Sequence, residues 1–110
     1  MAREVIPKVR AEGRDMPWVG ETAIGLRRLD NIQFCIEGII KDGVEGDLIE
    51  TGVWRGGAVI FMRACLKAFG DEGRTVWVAD SFQGVPKPDT DKYPKDKGIM
   101  LYTVDYLAVS

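Results

Sequence analysis

From Leu26 to Lys41 apolar residues return at helical spacing. Leu29, Ile32, Ile36, Ile39 and Ile40 share one side, while Arg27, Asp30, Asn31, Gln33, Glu37 and Lys41 take the other. The spacing predicts an amphipathic helix, stopped by Gly43 after Lys41-Asp42, with Glu37 and Lys41 paired four residues apart. The pattern then changes. Gly46-Asp47-Leu48-Ile49-Glu50-Thr51 is a short apolar run ending in an acid and reads as a strand, followed by the turn Gly52-Val53-Trp54-Arg55-Gly56-Gly57. A second helix, from Gly57 to Phe69, is apolar nearly all round, with Arg63 and Lys67 as a narrow polar stripe. Such a helix is expected to be covered on most sides. Thr75-Val76-Trp77-Val78-Ala79-Asp80 is β-branched and aromatic, reads as a strand, and again ends in an acid. Strand, helix and strand with short links make a βαβ unit with parallel strands, hence an α/β fold. Ligands of such sheets bind beyond the carboxyl ends of the strands, where Glu50 and Asp80 stand.

The flanks are less regular. Residues 1–20 mix charges with Pro7, Gly13, Pro17 and Gly20, allow a short helix at the start, and otherwise read as a loop or lid anchored by Met16 and Trp18. After Asp80 the chain runs through Ser81, Phe82 and Gly84 into a charged loop from Asp89 to Gly98, and Ser110 is placed to cap a helix that would follow. The organisation expected is an N-terminal segment over residues 1–25 and, over residues 26–110, the first part of a larger sheet domain.

Composition narrows the chemistry. The 110 residues contain no histidine, which removes imidazole bases, imidazole metal ligands and Ser-His-Asp or Cys-His pairs from this chain. Fifteen basic and seventeen acidic residues give a net charge of −2, without the basic excess of a nucleic-acid binder. No apolar run approaches a membrane span and the N-terminus has no signal-like apolar stretch, so a cytoplasmic protein without a membrane partner is expected. Cys35 and Cys65 both fall in apolar helical patterns and read as two small core residues rather than a redox pair.

The informative constellation is Glu50-x-Gly52-x-x-x-Gly56-Gly57, with Asp80 at the end of the next strand. A phosphate-binding P-loop would need Lys-Ser/Thr after its last glycine, but Gly57 is followed by Ala58. A dinucleotide fingerprint needs closer glycines and an earlier acid. What the spacing matches is a site for S-adenosylmethionine in a Rossmann-like sheet. Gly52, Gly56 and Gly57 would let backbone approach a ligand that carries a carboxylate and an amine but no phosphates, Asp80 would accept both ribose hydroxyls, and Glu50 would face the amino-acid end or support the loop. The bland alternative is a βα turn with incidental acids. Trp54 and Arg55 fit either ligand contact or packing.

Asp47-Leu-Ile-Glu-Thr-Gly-Val-Trp-Arg-Gly-Gly57, Arg74-Thr-Val-Trp-Val-Ala-Asp-Ser-Phe82 and the Gly84-x-Pro86 turn together resemble the macrocin O-methyltransferase family. Gly25-Leu-Arg-Arg-Leu-Asp-Asn-Ile-Gln33 and Asp105-Tyr-Leu-Ala-Val-Ser110 resemble it too, so the likeness runs from about Met16 onward. It implies a partial Rossmann-like methyltransferase fold, made of N-terminal helices and the first βαβ unit. It further implies S-adenosylmethionine as cofactor, a sugar hydroxyl of a natural product as acceptor, and assistance by magnesium. Residue by residue, Glu50, Thr51, Gly52, Val53, Trp54, Gly56 and Gly57 resemble the cofactor loop, and Asp80, Ser81 and Phe82 the part that meets ribose and adenine. Thr22 and Ile24 resemble the lid over the cofactor, with Ala23 where the family pattern carries a methionine. Members are longer, and their metal-binding aspartates and catalytic base belong to a half absent from this sequence, which assigns no catalytic residue and no metal ligand here. Asp89, Asp91 and Asp96, interleaved with lysines, read as a solvated surface. A non-catalytic remnant, with weak or no cofactor binding and an uncovered sheet edge inviting a partner or a second copy, is the competing reading.

Overall fold

The computed structural model of the chain describes residues 6–15, 20–84 and 86–96. Two compact units divide it, Met1–Ala79 and Asp80–Ser110. Met16, Trp18 and the expected cap at Ser110 lie outside the described residues.

The first unit contains helices α1 (Pro7–Ala11), α2 (Leu26–Lys41) and α3 (Gly57–Ala68) and strands β1 (Leu48–Thr51) and β2 (Val76–Ala79). The strands pair in parallel, Leu48 opposite Val76 through Thr51 opposite Ala79, as a βαβ unit requires. One face of this ribbon, bearing Leu48 and Val76, packs under α3, and α2 packs on α3. The core is Ile36 of α2 with Cys65 and Leu66 of α3, surrounded by Ile32, Ile40, Leu48, Phe61, Met62 and Val76. The apolar stripe read along α2 is therefore the buried one.

Helices α2 and α3 end alike. After α2, Gly43 takes φ 64, its N–H donates to Ile40 O at 3.2 Å and the Val44 N–H donates to Ile39 O at 2.9 Å. Gly70 repeats the arrangement after α3, with φ 76 and with Asp71 N–H donating to Leu66 O at 2.9 Å. Both are Schellman closures, in which a left-handed residue satisfies the last carbonyls.

Three expectations need correction. Cys35 is exposed while Cys65 is buried, and both are free thiols; Cys35 lies one residue off the α2 stripe, about 100° round the helix from Ile36. Burial, and then the Glu37 charge, pushes the Cys65 thiol up. Helix α3 is not covered on most sides: Ala58, Cys65 and Leu66 are its buried residues, and Ile60 is 61% exposed. Glu37 accepts a hydrogen bond from Gln33 Nε2 at 3.0 Å, one turn toward the N-terminus, in place of the expected pairing with Lys41.

The base of the sheet carries a clamp that no motif announced. The Arg74 guanidinium pairs with Asp71 at 2.6 Å and donates to the carbonyls of Gly46 and Val44. Beside it the Asp47 carboxylate accepts from Thr75 N–H at 2.9 Å and Trp77 Nε1 at 2.8 Å. These bonds hold the approach to β1 against the approach to β2, and they lower the Asp47 pKa, chiefly through the Thr75 and Trp77 donors.

The described residues of the second unit are irregular apart from a 3₁₀ turn at Pro94–Asp96. No helix among the described residues is long and apolar enough to cross a membrane.

Candidate functional site

At the carboxyl end of β1, Gly52 N–H donates to Ala79 O at 2.9 Å and carries the parallel ladder one residue past the strand. The chain then leaves the sheet through a turn with three left-handed residues, Gly52 (φ 81), Trp54 (φ 49) and Gly56 (φ 84). Glycine adopts these angles freely, but Trp54 pays about 1–2 kcal/mol for its Cβ. Val53, between them, is buried, and its carbonyl accepts from Gly56 N–H at 2.9 Å. The Arg55 guanidinium stacks over the Trp54 ring, 4.5 Å from its centroid.

Glu50 is the acid at the end of β1. Its side chain shares the α3 side of the ribbon with Leu48, and its Oε2 is enclosed without a hydrogen-bond partner among the described residues. That enclosure holds the carboxyl above its ordinary range. A buried acceptor left open at a strand end is chemistry waiting for a donor, since unmade hydrogen bonds in such places are costly.

Residues 20–25 lie directly against the turn. Three consecutive carbonyls are each taken by a donor: Gly20 O by Arg55 Nη1 at 3.0 Å, Glu21 O by Gly57 N–H at 2.9 Å, and Thr22 O by Arg10 Nη2 at 3.2 Å. Arg10 is itself held by Asp15 at 2.7 Å. Thr22 Oγ1 accepts from Ile24 N–H at 3.3 Å, fixing the bend, and a Cβ on Gly13 would strike the Ile24 carbonyl. Gly57 has an ordinary φ but no room for a side chain, because a Cβ there would run into the Glu21 carbonyl. The backbone approach that Gly57 permits in the structure is thus that of segment 20–22. Thr22, Ile24, Glu50, Thr51, Gly52, Val53, Trp54, Gly56 and Gly57 all lie in the first unit; Thr51 and Gly52 are exposed and Val53 buried.

Asp80, Ser81 and Phe82 open the second unit. Asp80 Oδ1 accepts from Phe82 N–H at 3.0 Å, an Asx turn that fixes the carboxylate, and Ser81 Oγ accepts from Gln83 N–H at 3.3 Å. Phe82 is left-handed at φ 54 and is 63% exposed. The β1–α3 turn and the 80–82 segment thus each hold one aromatic residue in a backbone conformation that side chains avoid, as functional turns often do. Farther along, Asp89 Oδ1 caps a turn by accepting from Lys92 N–H at 3.1 Å.

Among the described residues no group of three or more Cys, Asp or Glu is placed to hold a metal ion. For S-adenosylmethionine the residues do fit, with an open carboxylate acceptor at Glu50 and a side-chain-free turn at Gly52, where a Cβ would meet nothing within 4 Å. The sequence singled out Thr22, Ile24, Glu50 and the turn residues and left the role of Arg55 open, but gave no sign of Arg10 or of its partner Asp15. Only the fold shows that these two arginines hold segment 20–22.

The solved structure of the O-methyltransferase NovP superposes with a TM-score of 0.79 and 52% identity, covering 96% of this chain and 44% of that one. A tetracenomycin-type 4'-O-methyltransferase from Streptomyces olivaceus, 8-demethyl-8-(2,3-dimethoxy-alpha-L-rhamnosyl)-tetracenomycin-C 4'-O-methyltransferase, is 56% identical over 93 residues, 84% of this chain and 36% of its own length. Mycinamicin III 3''-O-methyltransferase from Micromonospora griseorubida is 53% identical over 97 residues, 88% of this chain and 38% of its own. Demethyldecarbamoylnovobiocin O-methyltransferase from Streptomyces niveus is 54% identical over 95 residues, 86% and 36%. The chain thus spans well under half the length of these relatives. The family model for macrocin O-methyltransferase matches residues 1–110 in full, and the chain, with its βαβ unit and glycine turn, belongs to that family.

Proposed function

We propose that this chain binds S-adenosylmethionine as the cofactor-holding part of an O-methyltransferase that acts on a sugar hydroxyl of a natural product, in the cytoplasm. The observation that carries the reading is the enclosed, unpartnered Oε2 of Glu50 beside the left-handed turn at Gly52, Trp54 and Gly56. Glu50 takes the ligand's ammonium, and the open backbone at Gly52 leaves space for its amino-acid end. In the second unit, Asp80, held by its Asx turn, accepts the ribose hydroxyls, and the exposed Phe82 ring offers a face for adenine. Thr22 and Ile24 lie on the segment that covers the turn. When bound, the cofactor supplies a methyl group on a sulfonium centre, ready for in-line attack. The residues here bind and orient it, and no residue of the chain is assigned as the base for the acceptor hydroxyl.

Titration calorimetry of the chain with S-adenosylmethionine and S-adenosylhomocysteine tests this directly. Saturable heat is expected, weakened about tenfold or more by Asp80→Ala through loss of charge-assisted hydrogen bonds, with adenosine competing and NAD not. No heat and no thermal shift with either ligand would leave the non-catalytic interaction fragment as the better reading. Labelled methyl transfer to mycinamicin III and demethyldecarbamoylnovobiocin tests the substrate class.

A further inference from the structure

The three carbonyls of residues 20–22 are held by donors from two places. Arg10 comes from α1, whereas Arg55 and Gly57 come from the β1–α3 turn itself. Arg55 is the unusual member. Its guanidinium does two things at once, stacking on the Trp54 ring at 4.5 Å and donating to Gly20 O at 3.0 Å. Trp54 is the one non-glycine residue in the turn at a left-handed φ, so something must favour its ring's placement over the more relaxed backbone. A planar cation that stacks and donates in the same pose can supply that bias, and a lysine cannot reproduce both contacts. On the far side of the turn, the Gly57 N–H and the missing Cβ let Glu21 close to hydrogen-bond distance.

We propose that Arg55 is a positioning residue that locks segment 20–22 onto the turn and thereby fixes the turn's left-handed shape. Docking of the segment and binding of a ligand at the turn are then thermodynamically linked, each strengthening the other by the same factor. Arg55 acts through Trp54 and Gly20. The inference rests on the cofactor reading only for the identity of the ligand; the lock itself is a property of the unliganded chain.

The experiment compares wild type, Arg55→Ala, Arg55→Lys and the surface control Arg28→Ala by amide hydrogen exchange and by titration with S-adenosylhomocysteine. In the unliganded chain, Arg55→Ala is expected to raise exchange at the Gly57 amide about tenfold and to speed tryptic cleavage after Arg14, while exchange inside α2 and α3 stays as in wild type. Arg55→Lys should restore part of the Gly57 protection, and Arg28→Ala should change nothing. With ligand present, S-adenosylhomocysteine should slow Gly57 exchange in wild type, and Arg55→Ala should bind about tenfold more weakly. Equal Gly57 exchange in wild type and Arg55→Ala overturns the proposal, as does a loss of protection spread evenly over α2 and α3, which would mark Arg55 as a general stabiliser. If wild type binds no S-adenosylhomocysteine while the Gly57 difference persists, the cofactor reading fails and the lock stands.

Discussion

Glu50 shows how one side chain can work against the fold that encloses it. Its enclosed Oε2 raises the carboxyl above the ordinary value of 4.5, so the folded chain holds that proton more tightly than the unfolded chain does. Stability is then full below the ordinary carboxylate range and falls as pH rises through it into the raised range. Glu50→Gln removes this slope. Its thermal midpoint at pH 7 should lie above that of wild type, while its affinity for S-adenosylhomocysteine drops about tenfold or more, because a charge-assisted acceptor is gone. Calorimetric melts from pH 4 to 8, run beside titrations, check both halves. Gly57 makes the complementary case. Gly57→Ala forces a methyl into the Glu21 carbonyl and should cost about 1–3 kcal/mol in denaturant unfolding, well beyond the small helix-propensity gain of alanine. The motif placed both residues. Their reasons differ from what the motif alone conveys, since the contact that excludes a side chain at Gly57 comes from a residue 36 positions earlier, and spacing within a loop carries no information about such a neighbour.

Among the elements, α2 was the most legible. Its stripe of isoleucines, its start at Leu26 and its end at Lys41 all follow from period and from Gly43. The strands were legible in place and direction but start later than the runs read for them, at Leu48 and Val76, where Asp47 and Arg74 tie the flanking residues into the clamp. That clamp was invisible beforehand, since Arg74 meets Gly46 and Val44 from about thirty residues away and a lone arginine before a strand has no signature. Arg74→Ala leaves two carbonyls and Asp71 without their cation and should destabilise the chain by about 2 kcal/mol. Asp47 gives the clamp a pH dependence opposite to that of Glu50. Its carboxyl is held below the ordinary value of 3.8, so its contribution is present above that value and disappears as pH falls through the lowered one. Asp47→Asn should therefore flatten the acid limb of the stability profile, read by circular dichroism.

For the molecule, the feature that matters is how much apolar surface the two-stranded ribbon leaves open. Ile49 and Trp77, side by side across the strands, are 62% and 56% exposed, and Ile60 of α3 and Phe34 of α2 are 61% and 74% exposed. Surface of this kind drives association. Light scattering on the chain is expected to show a mass that grows with concentration, and Ile49→Lys with Ile60→Lys should suppress that growth without disturbing α2. The pattern of apolar positions does not convey that those of α3 and of the strands exceed what these elements bury among themselves.

The bond from Arg55 to Gly20 closes a loop of 35 residues, with the whole of α2 and β1 inside it. Closing so long a loop has an entropic cost that local turns avoid, and a chain emerging from the ribosome offers Gly20 long before its partner exists. Segment 20–22 should therefore be the last part of the unit to settle during refolding, with pulse labelling showing Gly57 protected after the amides of α2.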